Sequence, residues 1–162
     1  MLHVVLIEPE IPANTGNIAR TCLATGARLH LVEPLGFSLE DKQLRRAGMD
    51  YWHEVDVCRW PNFEALRATA GADARFFYLT TKSRRGYASV EFRDGDYLVF
   101  GRETKGLPEP LLAANADQCF RIPMVAEARS LNLSVSVGVV LYEAIRQVHG
   151  TEPILSQREY MA

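Results

Sequence analysis

The sequence predicts an α/β fold, a mostly parallel sheet flanked by helices. Three observations carry that reading. Short apolar runs at residues 3–7, 28–32, 75–81 and 96–101 alternate with helix-like segments, as they do when crossover helices link parallel strands. Loops rich in Gly, Asn, Ser and Pro follow three of the strand-like runs, at the strand ends where such sheets hold ligands. A charge-free stretch at residues 131–142 then closes the pattern as a last, buried helix, apolar on every side.

The elements follow in order. "HVVLI" reads as a buried strand and "EPEIPANTG" as a turn. "NIARTCLAT" is a helix, with Gly26 where a C-cap belongs. "RLHLV" returns as a strand, and "LEDKQLRRA" is a short charged helix stopped by Gly48. "HEVDVCRW" alternates as a strand does, after which Pro61 opens the helix "NFEALRATA". "RFFYLTT" and "DYLVFG" are further strands, "PEPLLAANA" a short helix and "QCFRIP" the last strand. The final helix spans 132–150. Neither a repeat nor a linker interrupts residues 1–150, which make one domain, and 151–162 form a frayed tail.

Composition narrows the function. An apolar share of 48% and a charged share of 23% fit a soluble globular protein of 162 residues. No apolar run reaches the ~18 residues of a membrane span. The N-terminus turns acidic after five apolar residues, unlike a signal peptide. Cys22, Cys58 and Cys119 lack ligand or pairing spacing, which suits reduced thiols in the cytoplasm. A net charge of −2 argues against bulk capture of nucleic acid. The clusters Lys42/Arg45/Arg46, Lys82/Arg84/Arg85 and Arg102/Lys105 would serve RNA only by converging on one surface.

Familiar nucleotide motifs are excluded. "GRETKGLP" has the glycine frame of a P-loop, but Leu107 and Pro108 replace its Lys and its Ser or Thr. No GxGxxG follows the first strand, no GxSxG elbow occurs, and the four histidines lack metal-ligand spacing. The three polar loops, "PANTGNIAR", "FGRETKGLP" and "RIPMVAEARSLNLS", still have to meet around something.

Taken in order, "NTGNIAR", "LVFGRETKGLP" and "RIPM" with "RSLNLSVSVGVVLYEA" resemble the three motifs of SPOUT-class RNA methyltransferases, most closely the small TrmL/YibK group. The likeness covers residues 1 to about 149. It implies an α/β knot, with S-adenosyl-L-methionine held in a C-terminal trefoil knot and S-adenosyl-L-homocysteine as product. The implied reaction is 2′-O-methylation of the wobble ribose, cytidine or uridine 34, in the anticodon stem-loop of tRNA. The implied protein is a cytoplasmic homodimer joined through the last helix around Val135, Val139 and Tyr142, without metal and without membrane. Other tRNA positions, ribosomal RNA, or a non-catalytic RNA-binding module are the alternatives.

The resemblance also assigns residues. Leu79, Gly101, Ile122, Met124, Ser130 and Leu131 match cofactor-binding positions. Arg20, Glu103, Ser130 and Asn132 match catalytic ones, and Asn14, Asn17, Arg20 and Arg129 fall to substrate binding. Each has a plainer reading. Arg20 is either a solvated helical side chain or a charge at the ribose and its phosphate; a guanidinium holds its proton too firmly to suit a general base. Asn14 caps the first helix and nothing more, or also orients Arg20. Glu103 is an exposed carboxylate or a substrate-binding group. Ser130 and Asn132 are caps, pocket groups, or one of each.

Overall fold

The computed structural model describes residues 1–40, 42, 44, 46 and 49–150. Six strands form one sheet in the order β3-β2-β1-β5-β4-β6, and every pairing is parallel. The strands are β1 (His3–Ile7), β2 (Arg28–Val32), β3 (Val57–Trp60), β4 (Phe76–Leu79), β5 (Tyr97–Phe100) and β6 (Cys119–Phe120). The helices are α1 (Pro12–Thr25), α2 (Phe63–Ala70), α3 (Glu109–Ala114) and α4 (Leu133–His149).

A parallel sheet covered on both faces needs apolar residues at successive positions, not alternate ones. Val4 and Leu6 of β1 accordingly pack with Ile18 and Cys22 of α1 and with Val140 and Leu141 of α4. Val5 and Ile7 face the other way, onto Phe63 and Leu66 of α2 and Leu112 of α3. The chain runs outward through β1, β2 and β3, then returns on the other side of β1. Strand order therefore reverses between β1 and β5, which opens a crevice at their carboxyl ends.

Several boundaries differ from the sequence reading, each for a local reason. Helix α1 begins at Pro12, five residues before "NIARTCLAT", because proline at the first helical position is preset and has no N–H to lose. Asn14 therefore lies inside the first turn and caps nothing; the N-cap is Ile11. The run "HEVDVCRW" is a strand only from Val57, where its ladder with β2 starts at Leu29, and Met49–Glu54 is a 3-10 helix. Asn62, not Pro61, opens α2, its Oδ1 accepting Ala65 N–H at 2.8 Å. β6 is only two residues long.

Helix α4 is not buried on every side. Val137, Val140, Leu141, Ala144 and Ile145 are buried, but Val135 and Tyr142 are 50% and 53% exposed. Of the expected charged helix at 39–47, Leu39 and Glu40 form a turn, Lys42, Leu44 and Arg46 are helical and Leu44 is fully buried; positions 41, 43, 45 and 47, like 48 and 151–162, lie outside the described residues. Among the described residues no helix is long and apolar enough to cross a membrane.

Candidate active site

A cleft of about 680 Å³ opens at the carboxyl ends of β4 and β5, roofed by the entrance to α4. That size suits a cofactor or drug-sized ligand. Its wall is the loop after β5. Arg102 and Gly106 exchange two backbone hydrogen bonds, Arg102 N–H to Gly106 O at 3.2 Å and Gly106 N–H to Arg102 O at 2.9 Å. Gly106 turns the loop in the left-handed region at φ 67°. Gly101 lets it close: a Cβ there would sit 2.1 Å from the Gly106 carbonyl carbon and 2.2 Å from Leu107 N. The close approach expected of Gly101 is thus made first to its own loop.

The loop is clasped to the turn between β1 and α1 from both sides. Glu103 Oε2 accepts Glu10 N–H (2.8 Å), and Oε1 accepts Ile11 N–H (3.1 Å) and Asn14 Nδ2–H (3.2 Å). Its carboxylate thereby serves an α1 N-terminus whose own cap residue has no polar side chain, and sits where the helix dipole favours negative charge. In return Glu10 accepts from Thr104 N–H (3.1 Å) and from Thr104 Oγ–H (2.9 and 2.8 Å). Arg102 pairs with Glu8, a non-glycine residue at φ 51°. Behind the turn, Gly36 N–H donates to Pro9 O at 2.9 Å, and a Cβ on Gly36 would lie 2.8 Å from Glu10 Cα.

Asn14 carries the connection onward. Buried at 6% exposure, it donates to Glu103 with its nitrogen and accepts from Asn132 Nδ2–H with its oxygen (2.9 Å). Asn132 Oδ1 in turn caps α4, accepting Ser134 N–H (2.9 Å), Ser134 Oγ–H (2.6 Å) and Val135 N–H (3.4 Å). Ser136 Oγ–H donates to Asn132 O at 3.2 Å. The polar entrance to the last helix is therefore a hydrogen-bonded chain joining all three polar loops across the cleft.

Most of the expected residues come together. Leu79, Gly101, Ile122, Met124, Ser130 and Leu131 line the cleft, as do Asn14, Glu103, Arg129 and Asn132. Arg20 and Asn17 do not; they are exposed one turn apart on α1. The sequence reading missed Glu10 and Thr104, whose pairing spans 94 residues and leaves no local signature. Lys105 and Arg129 line the cleft without an ion-pair partner among the described residues, whereas Lys82 pairs with Glu109. No group of three or more His, Cys, Asp or Glu able to hold a metal occurs among the described residues.

This geometry can be set beside known proteins. The profile of the SpoU rRNA Methylase family matches residues 1–142. The chain belongs to that family. It is 53% identical over 149 residues to the tRNA (cytidine(34)-2′-O)-methyltransferase of Escherichia coli K12, covering 91% of this chain and 94% of that protein. A solved structure described as giving insight into 2-OH methylation of C/U34 on tRNA superposes with TM-score 0.88 at 48% identity, covering 93% of this chain and 97% of that one. An AdoMet-bound rRNA methyltransferase from Sinorhizobium meliloti superposes with TM-score 0.80 at 29% identity, covering 96% of this chain and 57% of that one.

Proposed function

We propose that this protein is a tRNA methyltransferase that transfers a methyl group from S-adenosyl-L-methionine to the 2′-oxygen of the ribose at cytidine or uridine 34. The observation that carries this reading is the closed Glu103–Asn14–Asn132 chain framing a cofactor-sized cleft, in a chain about half identical to wobble-ribose methyltransferases over nine-tenths of its length. The same reading includes the trefoil knot implied by the motifs, S-adenosyl-L-homocysteine as product, and action in the cytoplasm.

The residues fit the cofactor. Leu79, Ile122, Met124 and Leu131 offer an apolar lining for its adenine and its aliphatic chain, and Gly101 and Ser130 place backbone and hydroxyl groups among them. When bound, it supplies an electrophilic methyl group on sulfur. The chain's own residues do the rest. The 101–106 loop and the α4 entrance hold the reactants in line, an entropic advantage on the order of 7–11 kcal/mol in favourable cases. Glu103, with three donors on its two oxygens, acts as a positioning residue together with Asn14 and Asn132. Arg129 and Lys105 grip RNA phosphate at the mouth, Arg129 as a planar fork.

Arg20 stabilises the developing alkoxide and the adjacent phosphate by charge. Because it does not line its own cleft, it serves the cleft of a second copy, with Asn17 beside it. That copy docks on the stripe of α4 formed by exposed Val135 and Tyr142 with partly buried Val139, on a helix packed directly against α1.

The test is to incubate the protein with S-adenosylmethionine and unmodified tRNA and to map 2′-O-methyl groups by nuclease digestion and mass spectrometry. Methylation at nucleotide 34 that disappears in Arg20→Ala is expected. Methylation at another nucleotide overturns the target, and cofactor binding with no methylation of any RNA overturns the activity.

A further inference from the structure

A second groove, of about 460 Å³, lies on the outer edge of β4, away from the cleft. It exists because β6 is so short: it pairs only with Tyr78 and Leu79, leaving the first half of β4 uncovered. The uncovered edge is lined by Arg67, Arg75, Arg85 and Arg93, with Glu91 and Asp117. Three of the guanidinium groups stand over aromatic rings: Arg67 over Phe76 at 5.6 Å, Arg75 over Phe77 at 5.0 Å and Arg85 over Phe120 at 4.6 Å. A guanidinium held by its face keeps its in-plane N–H groups for an anion that can match the fork.

Not all of these charges are available. Arg75 is paired with buried Asp96 at 3.2 Å and donates to Glu91 O at 2.7 Å, and Arg85 donates to Asp117 O at 2.5 Å. Arg67 and Arg93 are exposed and have no ion-pair partner among the described residues. The lining holds four arginines against two carboxylates, in a chain whose net charge is −2, so positive charge is concentrated here. One chain segment leads from the cleft to the groove. The segment after β4 lines the cleft at Thr80, Thr81 and Lys82 and the groove at Arg85 and Ser89, with exposed Arg84 between them. From Arg75 to Leu79 the strand advances about 13 Å at its usual rise.

We infer that this arginine-lined groove seats the phosphodiester backbone of the RNA whose target nucleotide occupies the cleft. The inference rests on the proposed function and adds the path of the substrate: the RNA leaves the cleft over Lys82 and Arg84 and is gripped by Arg67 and Arg93. A single polyanion long enough to reach both places explains why two basic linings share one strand. An acidic peptide would match the guanidinium forks, but nothing about it requires a basic segment leading from the groove to the cleft.

The test compares the full chain with an Arg67→Gln/Arg93→Gln variant, reading affinity for a tRNA transcript across a salt series and, separately, affinity for S-adenosylhomocysteine by calorimetry. Both side chains are exposed and outside the cleft, so cofactor-product affinity stays at the wild-type value. The tRNA affinity is expected to fall at least ten-fold at low salt, and the slope of log K against log salt to become shallower by about 0.7–0.9 for each phosphate the variant no longer neutralises. Arg67→Glu/Arg93→Glu weakens binding further. Unchanged tRNA affinity and slope overturn the inference. So does a variant that loses binding of a poly-glutamate peptide while tRNA affinity holds, which assigns the groove to a protein partner. A wild-type protein that binds S-adenosylhomocysteine but no tRNA overturns the proposed function instead.

Discussion

Asn132 uses the two ends of one amide for different purposes. Its oxygen caps α4 and its nitrogen reaches Asn14, whose nitrogen reaches Glu103. The chain has a direction because a carboxylate only accepts. Glu103 fixes which end of Asn14 faces it, and Asn14 then fixes Asn132. Asn132→Asp keeps the cap, with negative charge favourable at a helix N-terminus, but turns an acceptor toward Asn14 Oδ1. Flipping the Asn14 amide offers no relief, since its oxygen would then meet Glu103. Stability by urea unfolding is therefore expected within about 1 kcal/mol of wild type, while S-adenosylhomocysteine affinity falls at least ten-fold by calorimetry. Asn132→Ala loses the cap as well, at a further cost of about 1 kcal/mol. Wild-type affinity in Asn132→Asp would mean that this bridge does not shape the cleft. Asn132 itself was legible in the sequence as a helix entry, and so was Asn14 as a polar residue near one. Their hydrogen bond was not, because it joins positions 118 residues apart.

Among the elements, the sheet carries a polar row that the reaction does not use. Trp60 Nε1–H, a donor only, points at His30 Nδ1 (3.0 Å), so neutral His30 keeps its proton on Nε2 and donates to His3 Nδ1 (2.9 Å). Tyr97 stacks on His3 with ring centroids 4.1 Å apart. A proton added to either acceptor would set N–H against N–H. Burial, then nearby Arg28 and the N-terminal ammonium, lowers His3 to about 4; burial, then His3 and Arg28, lowers His30 to about 3. Both folded values lie below the usual 6.5, so the unfolded chain binds more protons between pH 6.5 and about 4. Stability is complete above pH 6.5 and declines as pH falls through that window. For buried His30 the loss reaches about 2 kcal/mol at pH 5, and half-buried His3 adds less. Urea titrations at pH 7, 6 and 5 read this, and His30→Gln, which keeps a donor and an acceptor, should flatten the slope. A level profile in the wild type would refute the buried neutral pair. The strands that hold this row were legible as apolar runs. The start of α1 at Pro12 was not read, because the glycine and asparagines of "PANTGN" look like a turn until Glu103, far away in sequence, satisfies the helix N-terminus.

At the scale of the whole molecule, motif order carried the family and the composition of the loops carried the cleft, but neither could place Arg20. The helix expected to carry Arg20 exists, but Asn17 and Arg20 are exposed on it and do not line the cleft beside it. The exposed Val135 and Tyr142 lie on the helix packed against α1, which carries Arg20, so the proposed two-fold partner would dock next to α1. The proposed sharing of sites between subunits makes a sharp prediction. Arg20→Ala and Asn132→Asp homodimers are each expected to be inactive in tRNA methylation, the first lacking the donated charge and the second an intact cleft. Unfolded and refolded together in equal amounts, half of the dimers become mixed. Each mixed dimer then contains one intact cleft facing one intact Arg20, so activity returns to about a quarter of wild type if the interface is closed and two-fold. Tyr142→Arg placed in both chains would abolish that recovery and shift the protein to monomer in sedimentation. If the mixture stays inactive although mixed dimers form, Arg20 acts within its own subunit, and α1 must rearrange to bring it to the cleft.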